Sequence, residues 1–436
     1  MSRVIPTDNS LDNLTQLFSR RGLIDHLRTS IKRPDNLGII YINVVGFRHI
    51  NHIYGHDLAD DLLKLFARIL KGLVRQKGVL ARLAADEFII AITQVADLHY
   101  MSTLVERIDN AFRQPLLCQG ESIALQLRFG MSANGAAPFC DDCPIESLLS
   151  QASLAAQYAR SQDSSEAVLF NLEIERQLSR HSRLRHDLQM AISKQQLYLL
   201  YQPIIKTQTG DICGAEALLR WQHPTYGLVP AEETIAIAES SGLIEHLSKW
   251  VLANCLSWLR DNESDLPFGF RLGINLSAKL LESANYLAFC IEQISAVPTL
   301  GYALEFEITE SKNFDNDTKV NDFMNALHAL GVVFSLDDFG TGYASFERMQ
   351  SLDFDAVKLD RSIVHMADQS SAGKHMITAI VALLKPLGMT IVAEGIEGNT
   401  QMDTIRRLKC HEAQGFWLYK PMLAGEFHAL ICQQTS

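Results

Sequence analysis

The chain has 436 residues, 47% of them hydrophobic and 8% aromatic, with a formal net charge of −11. That length and apolar content support two hydrophobic cores rather than one, and the acidic balance excludes broad non-specific attraction to DNA or to an anionic membrane. No apolar run approaches the roughly 20 residues that cross a bilayer, and Met1–Ser10 lacks the charged-then-apolar pattern of a signal peptide. A cytoplasmic protein with no membrane segment is expected. The eight cysteines are scattered through the chain and read as reduced thiols. Cys140 and Cys143 form a C-x-x-C, but no second Cys/His pair lies near to complete the usual four zinc ligands.

Residues 12–170 alternate strand-like and helix-like segments. Leu37–Val45 reads as a strand, Leu58–Val74 as a long helix, Val79–Thr93 as a hairpin, Leu98–Phe112 as a helix, Ile123–Ser132 as a strand and Ile145–Arg160 as a helix. This predicts an ordinary α/β domain over 1–170. Leu172–Lys194 spaces Leu178, Leu184, Leu188 and Ala191 among charged residues without Gly or Pro, which predicts a connecting helix over 171–194.

From 195 to 436, apolar runs alternate with helical stretches over a length that matches a single (β/α)8, or TIM, barrel. The runs are Leu197–Pro203, Ala215–Arg220, Leu272–Ser277, Leu304–Glu310, Val332–Asp338, Ala356–Asp360, Thr390–Glu394 and Glu412–Leu418. Strands of this kind are buried on both faces, as in a parallel sheet covered by helices. They nevertheless end, or nearly end, in polar groups: Gln202, Glu216 and Arg220, Asn275, Glu307 and Glu310, Asp337 and Asp338, Lys358 and Asp360, Glu394, and Gln414. Strand C-terminal ends are where such barrels carry their active sites.

So many buried carboxylates call for a cation among them. A set of oxygen donors without His or Cys favours magnesium or manganese over zinc. The adjacent Asp337 and Asp338 suit two ions about 4 Å apart, the arrangement that assists in-line displacement at phosphorus, so phosphodiester hydrolysis is the matching chemistry. Lys358 is suited to orient or deprotonate the attacking water, because a lysine desolvated beside cations loses its proton readily. Asp360 is suited to hold that lysine.

Glu216-Ala217-Leu218-Leu219-Arg220-Trp221, Asn275-Leu276-Ser277, Glu307-Ile308-Thr309-Glu310, Asp337-Asp338-Phe339-Gly340-Thr341-Gly342-Tyr343, Lys358-Leu359-Asp360, Ala393-Glu394-Gly395, Gln414-Gly415 and Lys420-Pro421 resemble, in order and spacing, the signature of EAL-domain phosphodiesterases over about 190–430. The resemblance implies a modified TIM barrel that linearises cyclic di-GMP to pGpG with two magnesium or manganese ions. It implies that Glu216, Asn275, Glu307, Asp337, Asp338 and Glu394 form the metal site. Lys358 and Asp360 then assist the water, Glu310 steadies the loop Asp338–Ser345, and Gln202, Arg220 and Gln414 hold the substrate. Calcium, which accepts the same ligands with looser geometry, is expected to inhibit. A homodimer formed through barrel elements near that loop is also implied. Glu397 and Arg361 are assigned either to substrate contact or to surface packing. The pattern departs at Thr234-Ile235-Ala236 and at Ala344, neither of which supplies a metal ligand. The alternative is a cyclic di-GMP receptor that binds without cutting and acts through a protein partner, since enzymes and receptors share folds.

The stretch from Asp12-Asn13-Leu14-Thr15-Gln16-Leu17-Phe18-Ser19-Arg20 to Arg160 resembles a GGDEF, or diguanylate cyclase, domain. The name-giving motif reads Ala84-Ala85-Asp86-Glu87-Phe88. Glycines in that hairpin permit positive φ and close approach to a nucleotide, which Ala84 and Ala85 resist. Against the family's pattern the metal-binding Asp is Asn43, the second Asp is Val45, and the Asn-Asp pair that recognises guanine is Asn51-His52. Asp60, Arg82, Gly55-His56 and Glu87 persist. A neutralised ligand weakens the hold on the cations that activate a 3′-hydroxyl, so the resemblance implies a degenerate domain without cyclase activity. The product site R-x-x-D keeps Arg75 but has Gly78 in place of its Asp. Asn51 and Glu87 leave two roles open: a GTP-responsive regulatory site, or a scaffold and dimerisation module. A bifunctional synthase–hydrolase is opposed by Asn43, Ala84 and Ala85.

Overall fold

The computed structural model describes residues 10–30, 37–74, 78–93, 98–134, 144–162, 166–297, 302–309, 317–340, 349 and 351–435. Glu310, Arg75, Ala344, Cys140, Cys143 and the loop stretch 341–345 lie outside the described residues. Two compact units divide the chain, Met1–Ser182 and Arg183–Ser436. The helix Leu172–Ala191 runs across that division.

In the first unit a five-stranded sheet has the order Val79–Ala84, Glu87–Ile92, Gly38–Val45, Gln126–Ala133, Val168–Leu169. The central strand Gly38–Val45 is apolar almost throughout because both faces are covered. Ile40, Ile42 and Val44 pack into one cluster with the helices His56–Val74 and Leu98–Phe112. Ile39 and Tyr41 pack into another with Arg20–Ser30 and Ile145–Ser161. The period of two sorts one run of apolar residues between two half-cores.

The second unit is a closed barrel of eight strands: Leu197–Lys206, Ile212–His223, Phe270–Asn275, Tyr302–Thr309, Val333–Phe339, Ala356–Leu359, Thr390–Ala393 and Glu412–Ala413. Leu197–Lys206 runs antiparallel to both its neighbours, whereas the successive pairs from Ile212–His223 to Glu412–Ala413 are parallel. That reversed first strand is the modification of the TIM pattern. The eighth apolar run, Glu412–Leu418, is strand only over its first two residues.

Alternation along these strands separates two environments. Leu272 and Ile274, Leu304, Phe306 and Ile308, Phe334 and Leu336, Val357 and Leu359, and Ile391 belong to the main core packed against the helices. The intervening positions face the barrel's interior, which polar side chains fill. Low in the barrel, Arg271 hydrogen-bonds Glu305 at 3.0 Å and also pairs with Glu412. Higher up lie the residues of the site.

Candidate active site

Asn275, Glu307, Asp337, Lys358, Glu394 and Gln414 lie near or just beyond the C-terminal ends of their strands, while Glu216 lies mid-strand in Ile212–His223, paired in register with Gly273; all are on the interior parity. Lys358 is 1% exposed, and its ammonium lies among four carboxylates: 2.7 Å from Glu394, 2.8 Å from Glu307, 3.5 Å from Glu216 and 3.8 Å from Asp337. The two amides organise the other side of Glu216. Asn275 Nδ2 donates to Glu216 Oε1 at 2.7 Å, and Gln414 Nε2 donates to Glu216 Oε2 at 2.9 Å and to Gln202 Oε1 at 3.0 Å. Gln202 is held in turn by the carbonyl of Tyr419.

Adjacent strand residues normally face opposite sides, yet Asp337 and Asp338 both reach the site. The ladder between Val333–Phe339 and Ala356–Leu359 shifts register between Leu336 and Phe339, and Asp338 takes a left-handed φ of 55°. Its amide donates to Asp337 Oδ1 at 2.9 Å. An irregularity of this kind re-aims a side chain at the cost of local strain. Asp337, Asp338 and Glu394 each present an oxygen within 4.8 Å of the others.

Four carboxylates against one ammonium leave a formal charge of −3, and the ionisation equilibria respond. Burial and repulsion from Glu216 push Glu307 well above the usual carboxylate range. Burial, followed by Asp337 and Asp360, raises Asp338 to about 6. Burial raises Glu394 to about 8, with Asp337 and Glu216 adding to the effect and Lys358 opposing it. Glu216 moves down, because Lys358 and the Gln414 and Asn275 donors outweigh its burial. Burial opposes the charge on Lys358, but Asp337, Glu216, Glu307 and Glu394 hold it protonated far above the ordinary lysine value.

These features fit hard divalent cations. Among the described residues, Glu307 Oε1 and Gln414 Oε1 are buried acceptors with no hydrogen-bond partner, and Lys358 is the one ammonium within 4 Å of these four carboxylates. Glu307 also occupies space that a larger residue at 273 would fill, since a Cβ on Gly273 would sit 2.2 Å from Glu307 Oε1.

Other expected residues stand apart from the cluster. Asp360 does not hold the lysine: its carboxylate accepts from the amide of Ser362 at 2.8 Å and caps the helix Arg361–Gln369. The Arg220 guanidinium donates to the carbonyl of Leu219 at 2.8 Å. Glu397 lies 3.8 Å from Arg361 in an exposed pair, and the two line a cavity of about 210 Å³ with Gln202, Glu216, Glu394, Gln414 and Phe416. A second cavity of about 440 Å³ is lined by Glu216, Asn275, Asp337 and Asp338 together with Glu239 and Ser277. Glu216 borders both. Gly273, Phe416 and the Arg271–Glu305–Glu412 triad beneath the site escaped the sequence reading. The signal for the triad was parity, because Arg271, Glu305 and Glu412 stand two or four residues before Asn275, Glu307 and Gln414 on the same strands or their extensions.

In the first unit, the hairpin pairs Ala84 with Glu87, leaving Ala85 and Asp86 at its tip. Arg82 donates to the carbonyls of Ala84 and Ala85 and pairs with Asp12 at 3.1 Å. Asn43 Nδ2 lies 3.4 Å from Asp86 Oδ2, with its own Oδ1 buried and unpartnered. The Tyr41 hydroxyl is pushed up by burial and by its hydrogen bond to Glu87. His52 is exposed.

The EAL domain family model matches residues 185–421, and the model described as diguanylate cyclase, GGDEF domain, matches 9–166. Two Pseudomonas aeruginosa proteins are similar. The cyclic di-GMP phosphodiesterase NbdA is 30% identical, with 94% of this chain and 52% of that protein covered. The bifunctional diguanylate cyclase/cyclic di-GMP phosphodiesterase MucR is 31% identical, with 96% and 61% covered. The chain thus spans between half and two thirds of these relatives' length. A solved structure of the PaMucR phosphodiesterase in complex with c-di-GMP is 34% identical with a TM-score of 0.50, covering 56% of this chain and 99% of that one. On these matches the chain belongs to the EAL domain family and is a tandem GGDEF–EAL protein.

Proposed function

We propose that the barrel hydrolyses cyclic di-GMP to linear pGpG with two divalent cations, magnesium or manganese. The observation that carries this reading is the ring of Glu216, Glu307, Asp337 and Glu394 around Lys358, with Asp338 beside it, more carboxylates than the one ammonium balances among the described residues. Glu216, Asn275, Glu307, Asp337, Asp338 and Glu394 would hold the cations, Asn275 by turning its amide oxygen inward. Bound cations supply Lewis acidity toward the phosphoryl oxygens and toward water. Lys358, kept protonated by its neighbours, donates hydrogen bonds that orient an attacking water or a phosphoryl oxygen. Gln202 and Gln414 fix the position of Glu216 and offer polar contacts to the dinucleotide along the cavity that they line. Water adds across one P–O3′ bond, leaving a 5′-phosphate and a 3′-hydroxyl, so the product is linear.

In the same reading the first unit makes no cyclic di-GMP. Support comes from Asn43, whose amide donates toward Asp86 where a carboxylate would take a cation, and from Glu87, which is engaged by Tyr41. The protein then acts as a cytoplasmic homodimer in which this unit is a regulatory or dimerisation module, with GTP the ligand to test.

Purified protein incubated with cyclic di-GMP and manganese, with and without GTP, and analysed by nucleotide chromatography should release pGpG. Glu216→Gln should abolish release. Binding without cleavage by the wild-type protein would support a receptor instead, and new cyclic di-GMP formed from GTP would overturn the assignment of the first unit.

A further inference from the structure

On the outside of the barrel, Asp265, His428 and Cys432 bring a carboxylate oxygen, an imidazole nitrogen and a thiol sulfur within 4.8 Å of one another. His428 and Cys432 stand four residues apart on the helix Ala424–Thr435 and so share one face. Asp265 ends the short turn Glu263–Asp265 that follows the helix Ile244–Asn262. None of the three belongs to the phosphodiesterase site. We propose that they form a second metal site, with a donor set suited to zinc, that staples the helix Ala424–Thr435 to this turn.

The convergence of three different ligand atoms carries the inference. His428 Nε2 lies 2.9 Å from Asp265 Oδ2 and 3.6 Å from Cys432 Sγ. A ring nitrogen holds either a proton or a lone pair. As a donor it serves the carboxylate, with the thiol sulfur beside it as a weaker second acceptor; with its lone pair free it can ligate a cation together with the carboxylate and a thiolate. A cation in place of the proton suits carboxylate, lone pair and thiolate together. The hydroxyl of Ser264 donates to Asp265 Oδ1 at 3.3 Å, an outer contact of the kind that orients a ligating carboxylate. The mixed N, O and S set matches borderline-soft zinc rather than magnesium or calcium. Asp265 is exposed and the other two are half-buried, which leaves a path for the ion and room for water as a fourth ligand. The staple would anchor Phe427, next to His428, whose ring lies 5.5 Å from that of Trp258 and 5.9 Å from that of Tyr201.

The two metal sites differ in donor atoms, so cobalt distinguishes them. The whole 436-residue chain, saturated with manganese and kept reduced without added thiol, should develop thiolate-to-cobalt charge-transfer absorption at one equivalent of cobalt, and zinc should abolish it. The oxygen-only phosphodiesterase site cannot produce that band, so Glu216→Gln should retain it. Cys432→Ser should lose the band, and His428→Gln should weaken cobalt binding roughly tenfold or more, the loss typical of disturbing a metal site. Zinc should raise the melting temperature of the wild-type chain and leave that of Cys432→Ser unchanged. Absence of the band, or its survival in Cys432→Ser, including a band that disappears only when Cys140 and Cys143 are replaced, overturns the proposal.

Discussion

At the residue scale, the decisive group is Lys358, a single buried cation shared by four carboxylates. Lys358→Met should reduce cyclic di-GMP hydrolysis by about a hundredfold or more, the scale of losing one preorganised donor. It should also destabilise the cation-free protein by about 3–5 kcal/mol, because removing one partner leaves buried charge uncompensated. Chromatography of the products and denaturant melts with and without manganese measure the two effects separately. The same crowding sets a pH dependence. Asp338 and Glu394 titrate near 6 and 8 in the folded, cation-free site, above the carboxylate values near 4 of an unfolded chain. The folded state therefore binds more protons than the unfolded state between these limits, and this contribution to stability falls as pH rises from about 4 through about 8. Cations compete with those protons, so the melting-temperature gain on adding manganese should grow from about pH 5 to about pH 8. A gain that shrinks with rising pH would contradict the assignment of Asp338 and Glu394 as ligands.

At the scale of single elements, the end of one strand and the start of one helix position the chemistry. Asp360 caps the helix Arg361–Gln369 directly after the strand that carries Lys358. Asp360→Ala should cost about 1 kcal/mol of stability, and Asp360→Asn should restore most of it. If Asn restores stability but not turnover, the carboxylate has a chemical role besides the cap. On Phe270–Asn275, glycine at 273 leaves room for Glu307. Gly273→Ala drives a methyl into Glu307 Oε1 and should cost about 1–3 kcal/mol by overpacking. It should also weaken manganese binding, read by calorimetry. The shifted register at Asp337 and Asp338 explains how two neighbouring acids share one site despite the strand's period of two.

At the scale of the molecule, each unit has its own core. Manganese should therefore protect amides of residues 183–436 from hydrogen exchange and leave those of the first unit's sheet unchanged. Within the barrel, Arg271 joins Glu305 and Glu412 across the interior beneath the site. Arg271→Met should destabilise the barrel by about 3–5 kcal/mol, since both carboxylates lose their partner in a desolvated interior, and thermal denaturation should detect it with the active-site residues intact.

Composition, strand-length apolar runs and the order of short motifs were enough to read an α/β domain followed by a barrel, and to name the carboxylates at its rim. These are local properties: period, length and polar ends are written in consecutive residues. Distance across the barrel is not. That Lys358 is a shared ammonium, that Asp360 is a cap and that Arg271 bridges Glu305 and Glu412 depend on which strands face one another after closure. The reversal of Leu197–Lys206 is equally silent in its residues, because an apolar strand buried on both faces reads the same in either direction. Likewise, Asp265 approaches His428 and Cys432 only because the terminal helix packs beside the turn after Ile244–Asn262, a meeting of residues more than a third of the chain apart that no spacing in the sequence encodes.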